Sequence, residues 1–339
     1  MINYPKVSVV ILNWNGKHFL EQFLPSVYNS SYPALEIIVG DNASTDDSLA
    51  FVREYFPTVR IISNDKNYGF AEGNNHILAQ VEADYYVLLN SDVEVTPGWI
   101  EPVIRMMEID PSIAAAQPKL RSYYEKQNFE YAGAAGGFID KYGYPFCRGR
   151  IFDTVEKDEG QYDISSEIFW ATGAALFIKK QYWDEVGGFD SSFFAHMEEI
   201  DLCWRLKNRG YKIMYCPDSV VYHVGAGTLN SDSPYKTYLN FRNNLAMLKK
   251  NLPSGRAVFT IFIRFWLDFF TLIHFLFKGK FGLARAINKA HTHFLRDIRQ
   301  GSRNAEKDRS KFNKTGLFRG SIVWQYFVNK KRSFLDIDF

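Results

Sequence analysis

Tyr85-Tyr86-Val87-Leu88-Leu89-Asn90-Ser91-Asp92 is an apolar run that ends in a carboxamide, a small residue and a carboxylate. Open α/β sheets bind their ligands outside the carboxyl ends of the strands, so a strand ending this way sets a hard oxygen ligand where a ligand would lie. Asp92 could therefore hold a divalent cation against a diphosphate. The same three residue types also make ordinary turns after a strand. The surrounding pattern bears on the choice.

Upstream, strand-like runs over 7–12, 35–39, 59–62 and 85–89 alternate with helical spacing over 18–28, after Ser44, and over 71–81. Ser44 with Asp47 three residues on has the form of a reciprocal helix cap. This alternation predicts an α/β domain with a mostly parallel central sheet and helices on both faces. The first loop, Asn13-Trp14-Asn15-Gly16, is neither a dinucleotide glycine pattern nor a Walker loop, so a diphosphate would be held mainly by metal. A helix is expected over 97–107 and a strand over 113–117. Residues 119–165 turn polar, aromatic and glycine-rich, as a lid, an acceptor surface or an irregular connection would.

A second constellation follows at Trp170-Ala171-Thr172-Gly173-Ala174, where small residues suit close approach of a ligand or tight packing. Then His196-Met197-Glu198-Glu199-Ile200-Asp201 opens an amphipathic helix whose buried face is Leu202, Cys203 and Leu206, stopped by Gly210. Acids in a first turn suit the helix dipole. With Phe193, Phe194 and Met197 around them, a half-buried carboxylate there is also driven toward the role of general base. A strand ending at His223 supplies an imidazole to be weighed together with Asp92.

The chain has 339 residues, 46% of them hydrophobic and 23% charged, which describes a globular protein with a substantial core. Cys147, Cys203 and Cys216 lie far apart and fit a reducing compartment. The amino terminus runs into a strand without a signal-like segment, so the expectation is a cytoplasmic enzyme. The net charge of +2 hides a segregation: residues 278–315 carry eleven Lys or Arg against three Asp or Glu. Such a run binds an anion, nucleic acid or an acidic membrane face, and the acidic remainder of the chain argues against nucleic acid.

Taken in order, these motifs resemble the family 2 glycosyltransferases, inverting enzymes of the GT-A (Rossmann-like) fold. The likeness covers about residues 6–250 and looks nearest to bacterial rhamnosyltransferase-like members that build surface polysaccharides. It rests on Val9-Val10-Ile11-Leu12-Asn13-Trp14-Asn15-Gly16, Val39-Gly40-Asp41-Asn42-Ala43-Ser44-Thr45-Asp46, Asn67-Tyr68-Gly69-Phe70-Ala71-Glu72-Gly73-Asn74-Asn75, Leu88-Leu89-Asn90-Ser91-Asp92, Thr172-Gly173-Ala174, Glu198-Glu199-Ile200-Asp201-Leu202 and His223. The resemblance implies that Asp41 accepts from the pyrimidine of a UDP or dTDP donor. Asn13, Asn74 and Asn90 would line the nucleotide and diphosphate, with Asp92 and His223 coordinating Mg2+ or Mn2+. Glu199 would be the base, and Trp170, Thr172, Gly173, Glu198 and Asp201 would meet the acceptor or sugar. Asp201 could instead brace a basic group. Two departures stand out: the usual Asp-x-Asp is Asn90-Ser91-Asp92, and the usual Glu-Asp is Glu198-Glu199. The implied activity moves a sugar from a nucleoside-diphosphate donor to a hydroxyl of a glycan or lipid-linked saccharide. A catalytically silent nucleotide-sugar scaffold is the alternative.

Residues 1–250 are expected to form the catalytic domain and 251–339 a helical, membrane-associating extension. Residues 257–277 contain sixteen apolar residues in twenty-one, enough for a span by length. Thr260, Arg264, Asp268, Thr271, His274 and Lys278, however, fall at steps of 4, 4, 3, 3 and 4, one stripe on a helix. That favours a helix lying in the interface, stripe turned to water or to the enzyme, followed by a basic helix over 281–299 on anionic lipid at the inner face of the cell membrane. Burial against the catalytic domain is the competing reading.

Overall fold

The structure, a computed structural model, describes residues 4–225, 233–299 and 311–339. The first half alternates as expected: β1 (Val7–Asn13), α1 (Lys17–Tyr28), β2 (Leu35–Asp41), α2 (Ser48–Tyr55), β3 (Arg60–Ser63), α3 (Gly69–Leu78) and β4 (Tyr85–Asn90). There follow β5 (Val93–Val95), α4 (Glu101–Ile109), β6 (Ile113–Ser122), β7 (Gly137–Asp140), β8 (Pro145–Cys147), β9 (Arg150–Ile151), β10 (Thr154–Val155) and β11 (Ser166–Ile168). Next are β12 (Ala175–Lys179), α5 (Lys180–Val186), α6 (Glu198–Asn208) and β13 (Lys212–His223). Three long helices, α7 (Pro234–Asn251), α8 (Ser254–Phe277) and α9 (Phe281–Arg299), precede β14 (Leu317–Phe318) and α10 (Ile322–Phe327).

The large sheet runs β11-β13-β6-β12-β4-β1-β2-β3, with β5 on β13. Its parallel part is β4-β1-β2-β3; β12 then reverses direction against β4. Both faces are covered. Along β1, Val10 faces one buried cluster while Val9 and Ile11 face the other, the two-sided burial that a continuous Val/Ile run calls for. Register brings Asn13 beside Asp41 and Leu12 beside Asn90, so the ends of β1, β2 and β4 form one edge. At β5–β13, His223 pairs with Val93, which sets the imidazole next to Asp92.

Three local expectations differ from what is observed. Helix α2 begins at Ser48, not after Ser44, because the Ser44 hydroxyl is engaged by Asn13 Nδ2 (3.1 Å) and the Asn15 N–H (2.9 Å). Helix α4 begins at Glu101: Gly98, at φ 70°, turns the chain and Trp99 is buried with its indole N–H on Ser30 Oγ (3.0 Å). Much of residues 119–165 is not irregular but forms a second sheet, β10-β9-β8-β7-β14. Buried Lys119 pairs there with Asp158 (2.9 Å) and Asp163.

A division at residue 250 does not follow the packing. After the helical extension the chain returns: β14 pairs with β7, and Phe334 and Phe339 pack on Phe138 and Phe146. This small sheet lacks enough apolar surface of its own, and the terminal aromatics complete its core.

Helix α8 is amphipathic in the inverted sense. Its buried residues are Ala257, Thr260, Arg264 and Asp268, while Val258, Phe259, Phe262, Trp266, Phe269, Phe270 and Phe277 are exposed. Arg264 donates to Asn244 Oδ1 (2.7 Å) and Asp268 Oδ1 (3.2 Å) and lies over the Tyr144 ring at 3.7 Å. His291 of α9 meets Asp268 Oδ2 at 3.1 Å. Removing one member of such a buried pair typically costs about 3–5 kcal/mol, so the stripe is fixed against the enzyme. Its outer end, His274 and Lys278, is exposed. Of the basic run at 278–315, residues 300–310 lie outside the described residues.

Candidate active site

At the shared edge of β1, β2 and β4, Asn13 is fully buried and donates to both Ser44 Oγ (3.1 Å) and Ser48 Oγ (3.0 Å), with its Oδ1 unpartnered. Asp41 accepts from the Ser44 N–H at 3.1 Å. Asn74 lies on α3 and donates to Phe70 O (2.9 Å) one turn back. Asn42, which sequence reasoning passed over as part of a motif, ties this edge together: its amide donates to Asn67 Oδ1 (2.9 Å) and Gly69 O (3.0 Å).

Asp92 and His223 meet at 3.1 Å between Oδ1 and Nε2, with Asn90 Nδ2 at 3.4 Å from the same nitrogen. On the other side of the ring, Glu130 Oε1 lies 3.3 Å from Nδ1. All three charged groups are buried. Burial opposes the imidazolium, but Glu130 and Asp92 together outweigh it and push His223 up to about 10. Burial likewise opposes the Asp92 carboxylate, and His223 more than compensates, holding it below the usual range. Glu130 was not foreseen. It sits in the segment read as variable, and its only local signal is the glycine-rich run that follows. Gly225 completes the fit: at φ 70°, a Cβ there would lie 2.8 Å from Glu130 Oε1.

The second acidic station is built differently. Helix α6 starts after Phe194, His196 and Met197, all non-glycine residues at positive φ (64°, 69° and 74°). Burial pushes Glu199 up to about 7 and, with the neighbouring Glu199 charge, lifts Glu198 well above the carboxylate range. One oxygen of each, Oε2, is buried without a partner. A carboxylate that titrates near neutrality with a free oxygen can take a proton from a hydroxyl.

Thr172-Gly173-Ala174 bridges the two stations. Asn90 N donates to Ala174 O (3.0 Å), and Thr172 Oγ1 donates to Ala132 O (2.6 Å) beside Glu130. A Cβ on Gly173 would lie 3.9 Å from Glu199 Cβ and 3.5 Å from the Phe70 ring. Two of the expected acceptor residues are taken up in packing. Trp170 is buried with its indole N–H on Phe138 O (2.9 Å), and Asp201 is buried between Arg205 (2.7 Å), Lys250 (2.9 Å) and Asn251 Nδ2 (2.7 Å). Asp201 thus braces basic groups, the second of the two roles its position allowed.

Residues 8–169 match the family model described as Glycosyl transferase family 2. N-acetylglucosaminyl-diphospho-decaprenol L-rhamnosyltransferase of Mycobacterium tuberculosis is 26% identical over 241 residues, covering 67% of this chain and 78% of that one. Among solved structures, GalNAc-T7 with UDP, GalNAc and Mn2+ superposes with a TM-score of 0.58 at 17% identity, over 74% of this chain and 48% of that one. The mannosyltransferase PcManGT from Pyrobaculum calidifontis, in complex with GDP-Man and Mn2+, gives 0.53 at 15% identity, over 87% and 88%. At such identities the solved structures speak to the fold.

Proposed function

The chain is a family 2 glycosyltransferase, and from that premise we propose that it performs a metal-dependent, inverting transfer from a UDP- or dTDP-linked sugar to a hydroxyl of a glycan or lipid-linked saccharide in cell-surface polysaccharide synthesis. One observation carries the reading: a charge-compensated Asp92–His223–Glu130 group and a neutral-leaning Glu198–Glu199 pair flank the same Thr172-Gly173-Ala174 bridge.

The metal fits the residues present. Asp92 Oδ1 and His223 Nε2 converge to 3.1 Å, and these two groups would hold the ion between them. Glu130 Oε1, 3.3 Å from Nδ1, stands on the side where a metal-bound histidine has its carboxylate neighbour, and Nε2 would take the ion in exchange for its proton. When bound, Mg2+ or Mn2+ would offset the charge on the departing diphosphate. Asp41, Asn13 and Asn74 hold the nucleotide end, with Asn90 beside the diphosphate. Glu199 takes the acceptor hydroxyl proton as that oxygen bonds to the anomeric carbon, on the face opposite the breaking bond to the diphosphate. Glu198, Thr172 and Gly173 border the acceptor.

Helix α8 supports the reading that the protein seats on an anionic lipid surface, at the cytosolic leaflet. The Thr260, Arg264 and Asp268 part of its polar stripe is buried against the rest of the fold and its aromatic face is bare, with Phe270 64% and Trp266 54% exposed. A span would put the fixed Arg264–Asp268 pair inside the bilayer. Exposed Arg285, Lys289 and Arg296 on α9 supply the basic complement, and three unpaired, buried cysteines suit a reducing compartment.

Nucleoside diphosphate release from UDP-, dTDP- and GDP-sugars with Mn2+ or Mg2+ tests the reaction. Glu199→Gln should lower transfer on the order of 10²- to 10⁴-fold while leaving donor binding intact; full activity in that variant overturns the assignment of the base. Phe262→Glu with Trp266→Glu should abolish flotation with phosphatidylglycerol vesicles, and undiminished flotation would remove α8 from the lipid contact.

A further inference from the structure

The turn that carries the base is strained and does not hold itself. Three non-glycine residues at positive φ within four positions are strained, so such a turn persists only where its surroundings over-determine it. What over-determines it comes from α7, far along the chain. The side-chain amide of Asn243, fully buried, donates to three carbonyls of the turn, Phe193 O (2.9 Å), Ala195 O (2.9 Å) and His196 O (2.8 Å). Its own oxygen accepts from Arg242 Nε at 2.8 Å, and Arg242 also donates to Ser192 O. Lys250 grips the segment at both ends, pairing with Asp190 (2.7 Å) before the turn and Asp201 (2.9 Å) after the base.

The turn also touches the donor half, since Phe70 N and Ala71 N donate to Phe194 O at 2.7 and 3.0 Å. The next residue on α7, Asn244, faces the other way: it donates to Gly143 O (2.6 Å) and accepts from Arg264 of α8 (2.7 Å). One helix therefore holds both the base-bearing turn and the helix with the bare aromatic face.

We propose that Asn243 is a positioning residue for transfer, fixing the carboxylate of Glu199 by clamping the carbonyls of residues 193–196, with α7 as the strut that joins this turn to α8. The inference rests on Glu199 being the base. The two N–H groups of one buried amide are shared among the three carbonyls, of which Phe193 O also accepts from the Ala195 N–H (2.8 Å); without the amide, Ala195 O and His196 O lose this donor and are re-satisfied by moving the turn.

A double-mutant cycle tests it on the full chain. Asn243→Ala should lower kcat roughly 10- to 100-fold, as a displacement of about 1 Å at a reacting group does, with the donor KM changed by less than about twofold. In a Glu199→Gln background the same substitution should cost less than about twofold, because its target is already gone. Asn243→Ser, which keeps one donor, should fall between wild type and alanine. An equal factor in both backgrounds, or an unchanged kcat in the Asn243→Ala enzyme, overturns the proposal. Loss of fold in both Asn243 variants overturns it too, since the residue would then hold the domain and not the base. If Glu199→Gln alone retains full transfer, the assignment of the base has failed, and that result is read from the single variant.

Discussion

Two acidic stations lie on either side of the Thr172-Gly173-Ala174 bridge, made of the same chemistry and held in opposite states. At Asp92 and Glu130 the charge is kept, because an imidazole stands between them at 3.1 and 3.3 Å. At Glu198 and Glu199 no cation among the described residues offsets the charge, and burial favours the neutral form. The difference assigns roles without reference to any substrate. A compensated, ionised group suits a cation, and a carboxyl that loses its proton near pH 7 suits proton transfer. Each station can be broken separately, and the sizes of the effects should differ.

The largest effect is expected from Asp92→Asn. It removes the only acidic side chain of the Asn90-Ser91-Asp92 triplet and leaves His223 with Glu130 alone. Transfer, followed as nucleoside diphosphate release, should fall on the order of 10³-fold, about 4 kcal/mol. A loss below tenfold would mean that the triplet is a turn after all. Glu130→Gln is milder, since it keeps the contact with Nδ1 but loses the charge. Mn2+ affinity, read by electron paramagnetic resonance on the donor-bound enzyme, should weaken roughly 10- to 100-fold. Unchanged affinity would remove Glu130 from the site.

How much of this was legible in the chain follows from how far apart the partners lie. Asn13, Asp41 and Asn90 end strands with largely apolar runs and Asp92 lies in the turn just after β4, so the pattern of strands brings them to one edge. The half-buried setting of Glu199 was readable because its neighbouring acids and apolar residues are local. Glu130 was not, since its role depends on the β5–β13 register and on a positive-φ glycine at 225, neither of which leaves a pattern around residue 130. Trp170 misled for the reverse reason: an aromatic beside small residues looks the same whether it meets a sugar or fills a core. The stripe on α8 was visible from spacing, but only packing shows it turned inward to Asn244 and Tyr144.

The raised Glu199 also links folding to pH. Its folded value, about 7, lies above the ordinary 4.5, so protonation stabilises the fold; that contribution is full below pH 4.5 and is lost as pH rises through 7. Wild-type Tm in metal-free buffer should therefore fall across this window more steeply than that of Glu199→Gln. Equal slopes would place the carboxyl in water.

The smallest effect separates the two members of the pair. Glu198 is raised by burial and then by the Glu199 charge, whereas Glu199 owes its shift to burial, opposed by backbone N–H groups. Both carboxyls are pushed toward the neutral form, and the assignment under test is that the proton kept near pH 7 sits on Glu198, where glutamine imitates it closely. The acid limb of kcat/KM, which reports the free enzyme's base, should lie near pH 7 in wild type and move by less than about half a unit in Glu198→Gln. A shift of a full unit, or loss of the limb in Glu198→Gln but not in Glu199→Gln, would exchange the two roles. Such an exchange would leave the Asp92–His223–Glu130 station as it is and shift the proton acceptor by one position along α6.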